Sequence, residues 1–279
     1  MELNRMTGLL VLEVINSNPN GDPDRDSDPR QRDNGIGEIS PVSVKRKLRD
    51  LIEFKENNFV WAEVGKDLNA DEFKILESRQ NKRSTVKDQL LEKDAAGFVN
   101  TYWDARLFGN TFLEEGGGDT IRSGALHFGV GLSVAPVKIQ RETFTKKAPA
   151  QEGKSRGMAP LGFRIVEYGI YTVPFFFSPH QGQRTGCRDE DVQLFLKLVP
   201  YMYDHTRSLV RSQVNILHAH VGWHGNKLGT FKDSDFFAKL FPQLKEGASG
   251  DKRNDFNIPS WEDVKDSLTS VADYQDAVQ

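Results

Sequence analysis

The sequence predicts an α+β sandwich of the ferredoxin-like class, and three observations carry that expectation. The run TGLLVLEVI, Thr7 to Ile15, is β-branched and apolar enough for a buried first strand. A helix then starts cleanly at Ser40 and Pro41, an N-cap followed by proline at the first helical position. Beyond it the chain reads, in order, as a helical insertion, strands, a helix and a strand. With 279 residues, 37% of them hydrophobic, the chain can bury one sizeable core with elaborations.

Each element has a local reason. After the first strand, residues 18–41 carry Asp22, Asp24, Asp26 and Asp28 at alternate positions among Pro and Gly, so a long loop is expected. Such a loop inside a compact domain is usually functional or disordered. In the helix that follows, Val44, Leu48, Leu51 and Ile52 recur at helical spacing, and Lys45 and Arg49 share one face. Residues 60–100 read as a polar insertion with candidate helices in DEFKILESR and STVKDQLLEK. In SGALHFGVGLSVAPVKI the residues Leu126, Phe128, Val130, Leu132 and Val134 alternate, which predicts one long half-buried strand. FRIVEYGIYTVPFFFSP is a second strand whose Pro174 signals a bulge or an edge. Between them RETFTKKAPAQEGKSRGMAPLGF reads as a basic, flexible loop. DEDVQLFLKLVPYMYDHTRSLVRS is amphipathic over several turns, and QVNILHAHVGW returns to strand alternation.

Charge is unevenly placed. The formal net charge is −3, a mild argument against nucleic-acid binding, but a whole-chain sum hides local fields. Residues 43–49 carry Lys45, Arg46, Lys47 and Arg49 and no acid, whereas 138–164 has seven basic residues against Glu142 and Glu152. The stretch 251–279 is acidic. Cys187 has no partner for a disulfide, and neither a leader before Leu9 nor a membrane-length apolar run is seen, so a soluble cytoplasmic protein without a membrane partner is expected.

Several chemistries are weighed and set aside. Asp22, Asp24 and Asp26 imitate the start of a calcium loop, but Ser27 occupies the glycine position and Asp33 falls where a bidentate Glu is needed. His218 and His220 share a strand face with His224 nearby, yet no fourth ligand is placed, so no metal is expected. EEGGGD, residues 114–119, lacks phosphate-loop spacing and reads as a turn. No Ser, His and Asp grouping or reactive Cys suggests nucleophilic catalysis, no cofactor is implied, and the aromatic RNA motif of RRM domains is missing.

A resemblance then adds to this reading. NPNGDPD at residues 18–24, followed by Arg30, Asp33 and the helix SVKRKLRD, resembles the opening of the Cas-seven family, the backbone subunit of the CRISPR Cascade complex, in its type I-C subtype. YWDARLFGN, VEYGIY and DHTRSLVR follow in the family's order, so the likeness runs from about Leu9 to Leu228. The strand GVGLS departs at Leu132, where the family usually carries a basic residue.

The resemblance implies a modified RRM, or palm, over 1–239, with helical fingers at about 57–100, a thumb at about 138–164, and an acidic segment, 240–279, of open role. It also implies a non-catalytic subunit that lines up in several copies along a CRISPR guide RNA, beside other Cascade subunits, and leaves sequence reading to pairing with target DNA. Residues expected at the RNA are Asn20, Arg30, Arg32, Lys45, Arg46, Arg49, Arg106 and Arg122, with Lys146, Lys147, Lys154, Arg156, Met158 and Phe163 from the thumb. The 18–41 loop is expected to meet guide RNA or the next subunit, becoming ordered in the assembly. The alternative is a metal-dependent ribonuclease of the type III backbone kind using an Asp of the first loop, with Asp33 the residue to test.

Overall fold

A computed structural model of the chain describes residues 3–78, 81–82, 84, 86, 88, 95–110, 122–148, 157–263 and 271–273. The opening apolar run forms β1 (Met6–Ser17). One short pair, β2 (Gly21–Asp22) with β3 (Asp28–Pro29), and then the strand β4 (Ile36–Ile39) organise the acidic stretch, and α1 (Pro41–Ile52) follows. Next come α2 (Phe59–Val64), α3 (Ala95–Thr101) and α4 (Trp103–Phe108), then β5 (Gly109–Asn110) and β6 (Arg122–Ser123). The strands β7 (Leu126–Phe128), β8 (Gly131–Pro136), β9 (Ile139–Ala148) and β10 (Gly157–Phe177) lead to α5 (Pro179–Thr185) and α6 (Asp189–Leu198). β11 (Val214–Trp223), α7 (Asp233–Leu240), β12 (Gln243–Leu244), β13 (Phe256–Asn257) and β14 (Val271–Asp273) complete the described chain.

The architecture is mixed α+β around a sheet whose described pairings are all antiparallel. Its order is β14-β11-β1-β10-β8-β4, with β7 and β9 also paired to β10. Thus β1 lies between β10 and β11, and β1, α1, β8, β10, α6 and β11 succeed one another as β-α-β-β-α-β. Gly8 on β1 permits a close approach: a Cβ there would lie within 2.4 Å of the Phe175 ring. Substitution by any other residue must therefore push that ring aside.

Both sheet faces are covered. On one, Leu10, Leu12 and Val14 pack with Val44 and Leu48 of α1, Phe175 and Phe177 of β10, and Phe195 of α6. On the other, Leu9, Val11 and Ile170 meet Phe236, Leu240 and Phe256. Alternation along β1 supplies the two faces, and the segment after β11 supplies the second cover. Residues 240–263 therefore contribute to a core, which their acidic composition did not reveal.

Five expectations about local structure are corrected. Residues 18–41 form short strands and turns and not an open loop, because their polar groups serve one another: Asp22 Oδ1 accepts from Asp24 N at 3.2 Å, Ser27 N donates to Asp22 O at 2.8 Å, and Asn18 Nδ2 donates to Ser27 O at 2.9 Å. DEFKILESR is not an α-helix: Leu76 N and Glu77 N donate to the Asp104 carboxylate at 2.7 and 3.1 Å, a tertiary bond that replaces helical ones. STVKDQLLEK and EEGGGD lie largely or wholly outside the described residues. The single long strand at 125–138 is two strands. Phe128 faces Phe175 and Leu132 faces Thr172, so four steps on one side oppose three on the other, and one extra residue shifts the alternation. Val130 is exposed in consequence, and Leu132 and Val134 are only half-buried. The bulge that Pro174 signalled falls on its neighbour, where Gly129 N donates to Pro174 O at 2.8 Å.

The basic loop is a paired ribbon: β9 and β10 run antiparallel from Val166↔Ile139 to Gly157↔Ala148. Finally, DHTRSLVR is no helix. Its Asp204–Thr206 turn is 3-10 in form and an isolated bridge joins Ser208 to Arg211.

Candidate nucleic-acid interface

The N-terminal end of α1 is built with care by the chain before it. Ser40 Oγ accepts from Ser43 N at 3.2 Å, capping the helix, while Asn20 Oδ1 accepts from both Ser40 N and Ser40 Oγ at 2.7 Å. This places residues 20–21 beside the first turns of the helix. Between them and the end of the 204–211 turn opens a cleft of about 340 Å³ lined by Asn20, Gly21, Ser43, Arg46, Lys47, Asp50 and Arg211.

The electrostatics of this cleft are unusual. Lys47 is only 6% exposed, and its Nζ donates to Thr206 O at 3.4 Å. Burial, then the charge of Arg211, pushes its pKa down to about 8 against the opposing pull of Asp50. Arg211 Nε donates to Asn18 O at 2.9 Å, and burial lowers the pKa of this guanidinium too. Asp50 is taken by Arg46 at 2.6 Å, and Arg46 also meets Glu53 at 3.3 Å. Among the described residues Lys47 and Arg211 have no ion-pair partner of their own. Two desolvated cations face each other in an open cleft beside a helix N-terminus, an arrangement that an anion relieves. Neither residue was singled out from the sequence, where Lys47 is one charge among four and Arg211 is more than 160 positions away.

The expected RNA contacts do not share one environment. Arg30 and Arg32 reach solvent with looser partners, Arg30 lying 4.0 Å from Asp22 and Arg32 3.3 Å from Glu38, whereas Arg46 is half-buried and held between Asp50 and Glu53. Lys45 is half-buried, its Nζ 3.5 Å from Phe108 O and above the Phe108 ring, and burial with the neighbouring Arg49 lowers its pKa. Asn20 serves mainly as a bracket for Ser40. Phe163, half-buried on the ribbon, packs edge-on against Phe144 with ring centroids 5.0 Å apart. The backbones of Arg122, Lys146, Lys147 and Met158 lie in described strands, while Lys154 and Arg156 fall outside the described residues.

Arg49 and Arg106 are corrected, because both are internal. Arg49 is 3% exposed, with Nε donating to Asp104 Oδ2 at 2.8 Å and Nη1 3.0 Å from Glu77. Arg106 is wholly buried and grips Asp191 with two parallel bonds, Nε to Oδ2 at 2.9 Å and Nη2 to Oδ1 at 2.7 Å. Its remaining donors go to the carbonyls of Val99, Asn100 and Glu72. Every donor of that fork is engaged inside the protein, so none is left for phosphate.

One constellation imitates a catalytic triad. Thr7 Oγ1 lies 3.2 Å from His224 Nε2 and donates to Asp233 Oδ1 at 2.7 Å. However, His224 Nδ1 accepts from Thr230 N at 2.9 Å, which leaves the ring proton on Nε2, facing Thr7. The imidazole therefore cannot take the threonine proton, and the group ties β1 to α7. His218 and His220 stack with centroids 4.9 Å apart, and among the described residues no group of three His, Cys, Asp or Glu side chains is placed to hold a metal ion. No helix among them is long and apolar enough to cross a membrane.

The fold and the cleft define a class: an antiparallel-sheet α+β protein with a cationic cleft at the head of its first helix. A sequence model described as CRISPR-associated protein Cas7 matches residues 4–274, and the chain belongs to that family. A curated relative from Haloferax volcanii, "CRISPR-associated protein Cas7", is 27% identical over 221 residues, covering 68% of this chain and 62% of the relative. The chain thus spans about three-fifths of the length of that relative. Solved structures with a similar course include "CRISPR RNA-guided surveillance complex, pre-nicking", with TM-score 0.49, 14% identity and 78% of each chain covered. "Cryo-EM structure of the Type III-B Cmr-beta bound to cognate target RNA" has TM-score 0.42 and 10% identity, with 78% of this chain and 61% of the other covered.

Proposed function

We propose that this protein is a non-catalytic backbone subunit of a type I-C Cascade complex. In this reading several copies line up along one guide RNA, beside other Cascade subunits, and hold it for pairing with target DNA. The β-α-β-β-α-β core is the ferredoxin-like, RRM-type palm, the described parts of 57–100 belong to the fingers, and the β9–β10 ribbon is the thumb. Family membership supports the assembly, and one observation carries the chemistry: the cleft where Lys47 and Arg211 lie together while its one carboxylate, Asp50, is paired with Arg46. A single backbone phosphate of the guide seats there, contacted without regard to base, while Arg46, Lys45 and Arg30 continue the path.

The cleft makes a specific demand on experiment. Replacing Lys47 by Met removes a charge that burial penalises, so Lys47→Met raises the thermal midpoint at pH 7, on the order of 2–4 °C for each kcal/mol regained. The same change weakens binding to RNA of any sequence and flattens the slope of log affinity against log salt by about 0.7, the share of one phosphate on a single strand. A variant that is stabilised yet binds RNA with an unchanged salt slope sinks the cleft as a phosphate site. The same preparations, incubated with Mg²⁺ and labelled RNA, test the ribonuclease alternative: cleavage lost on Asp33→Ala overturns the non-catalytic reading.

A further inference from the structure

The acidic loop and the ribbon meet at one point. Arg141 on β9 and Arg164 on β10 are directly opposed in the ladder, and like charges so placed repel. Asp28 stands against both. Its Oδ2 accepts from Arg141 Nε at 2.9 Å and Nη2 at 2.6 Å, and its Oδ1 accepts from Arg164 Nη1 at 3.0 Å. The Asp28 side chain is 11% exposed although Arg141 is 58% exposed, so the carboxylate is the inner member. Hydrogen bonding from Arg141 holds its carboxyl below the usual range, with burial opposing. Asp26, 3.6 Å from Arg164, is a looser second acid. Two guanidiniums against two carboxylates leave no surplus charge, so this is a joint and not a seat for another anion.

Two further observations give the joint a role. Beyond Val166, the β10 residues from Ile165 back to Gly157 pair with β9 and not with β1, so the ribbon leaves the sheet as two strands, which alone are marginal in water. The backbone just before Asp28 is also strained: Asp26 and Ser27 both have positive φ, 50° and 65°, in non-glycine residues. Such strain persists only where the surroundings over-determine it. Here Ser27 N is bound to Asp22 O and Ser27 O to Asn18 Nδ2. The loop that ends at Asp28 begins at the cleft, since Asn18 O receives Arg211 and Asn20 and Gly21 line the wall.

We infer that Asp28 is a positioning residue that fixes the direction of the β9–β10 ribbon relative to the cationic cleft. Its purpose, presenting cleft and ribbon to one RNA strand in a set relation, rests on the RNA-binding reading; the joint itself belongs to the free chain. Breaking it leaves the sheet and the cleft intact and lets the ribbon swing.

The test uses the full chain with Cys187→Ala and spin labels at Thr143→Cys on the ribbon and Glu56→Cys on the body, both exposed positions. The parent gives one narrow interspin distance. Asp28→Asn loses that single peak, whereas Asp24→Asn, which removes the same charge from the same loop, keeps it. An unaltered distribution in Asp28→Asn overturns the inference. Should Asp28→Asn fail to fold, Arg141→Gln, a change on an exposed side chain, decides in the same way. Titration with long polyuridine RNA separates the two readings: the expected result is that Asp28→Asn keeps the affinity of the first subunit bound and loses cooperative filling. If the parent binds no RNA, the proposed function falls while the distance measurement still judges the joint.

Discussion

Lys47 is a residue kept at an energetic cost, and its titration gives the cleft a signature. Its pKa lies near 8 in the folded chain against an ordinary 10.5, so the folded state favours the neutral amine. The stability this group contributes is present above 10.5 and is lost as pH falls through about 8. A bound phosphate reverses the preference, because it pairs with the charged form. Above pH 8, binding must therefore take up a proton. RNA affinity is expected to fall as pH rises from 8 to 9.5, measured by fluorescence anisotropy at constant ionic strength, and Lys47→Arg should remove most of that fall. Arg106 makes the opposite case. Its removal in Arg106→Met strands the Asp191 carboxylate in the core, and urea unfolding should show a loss of about 3–5 kcal/mol, the range for a broken buried pair. The sequence shows that Arg46, Lys47, Arg49 and Arg106 are cationic; it does not show which of them meets an internal carboxylate. Asp104 and Asp191 lie 55 and 85 positions from their arginines, and no local pattern announces such a pair.

Elements were legible where their reasons are local. Ser40 and Pro41 mark the start of α1 because cap and first-turn chemistry involve only neighbours, and the two long apolar runs, TGLLVLEVI and FRIVEYGIYTVPFFFSP, fall in β1 and β10 because both are strand-like throughout. The bulge between Phe128 and Leu132 was half legible: Pro174 signalled it, but the extra residue sits on the partner strand, which periodicity within one segment cannot locate. The ribbon was missed because β9 is largely polar and Gly157, Pro160 and Gly162 interrupt its partner, so alternation carries only a weak signal there. The cap also supports a prediction. Asn20→Ala removes the acceptor that holds Ser40 N and Oγ, and should cost about 1 kcal/mol, the scale of a lost cap or buried hydrogen bond. Because Asn20 also forms the wall of the cleft, the same change should weaken RNA binding at unchanged RNA sequence preference, read by anisotropy alongside thermal melts.

At the scale of the molecule, the sheet has no bare face in its central strands. The segment from α7 to β13 seats Phe236, Leu240 and Phe256 on Leu9, Val11 and Ile170, and Arg253 Nε reaches Glu13 of β1 at 2.9 Å. Phe256→Ala should destabilise the whole fold by about 3–5 kcal/mol in urea titration, as expected for a large core truncation. If it merely frees the end of the chain, with the main transition unmoved, the second core is not part of the cooperative unit. His224 joins this cover to β1. Burial, then the charge of Arg5, lowers its pKa, with Asp233 opposing, so the neutral ring is the folded form. Its contribution is present above the ordinary 6.5 and is lost as pH falls through the lower folded value. Thermal midpoints between pH 7.5 and 5.5 should decline in the parent and decline less in His224→Gln. Acidic composition suggested a segment of open role over 240–279, yet Leu240 and Phe256 within it pack on the sheet.

The ribbon also obeys a rule of parity. Its ten ladder pairs, from Val166↔Ile139 to Gly157↔Ala148, at about 3.3 Å per step, give an arm roughly 30 Å long. Lengthening each strand by two residues extends the reach by about 7 Å and leaves every side chain on its original side; lengthening by one turns the whole outer part over. Arms of this kind can therefore be lengthened or shortened between homologues only in even steps, or else must rebuild both surfaces at once.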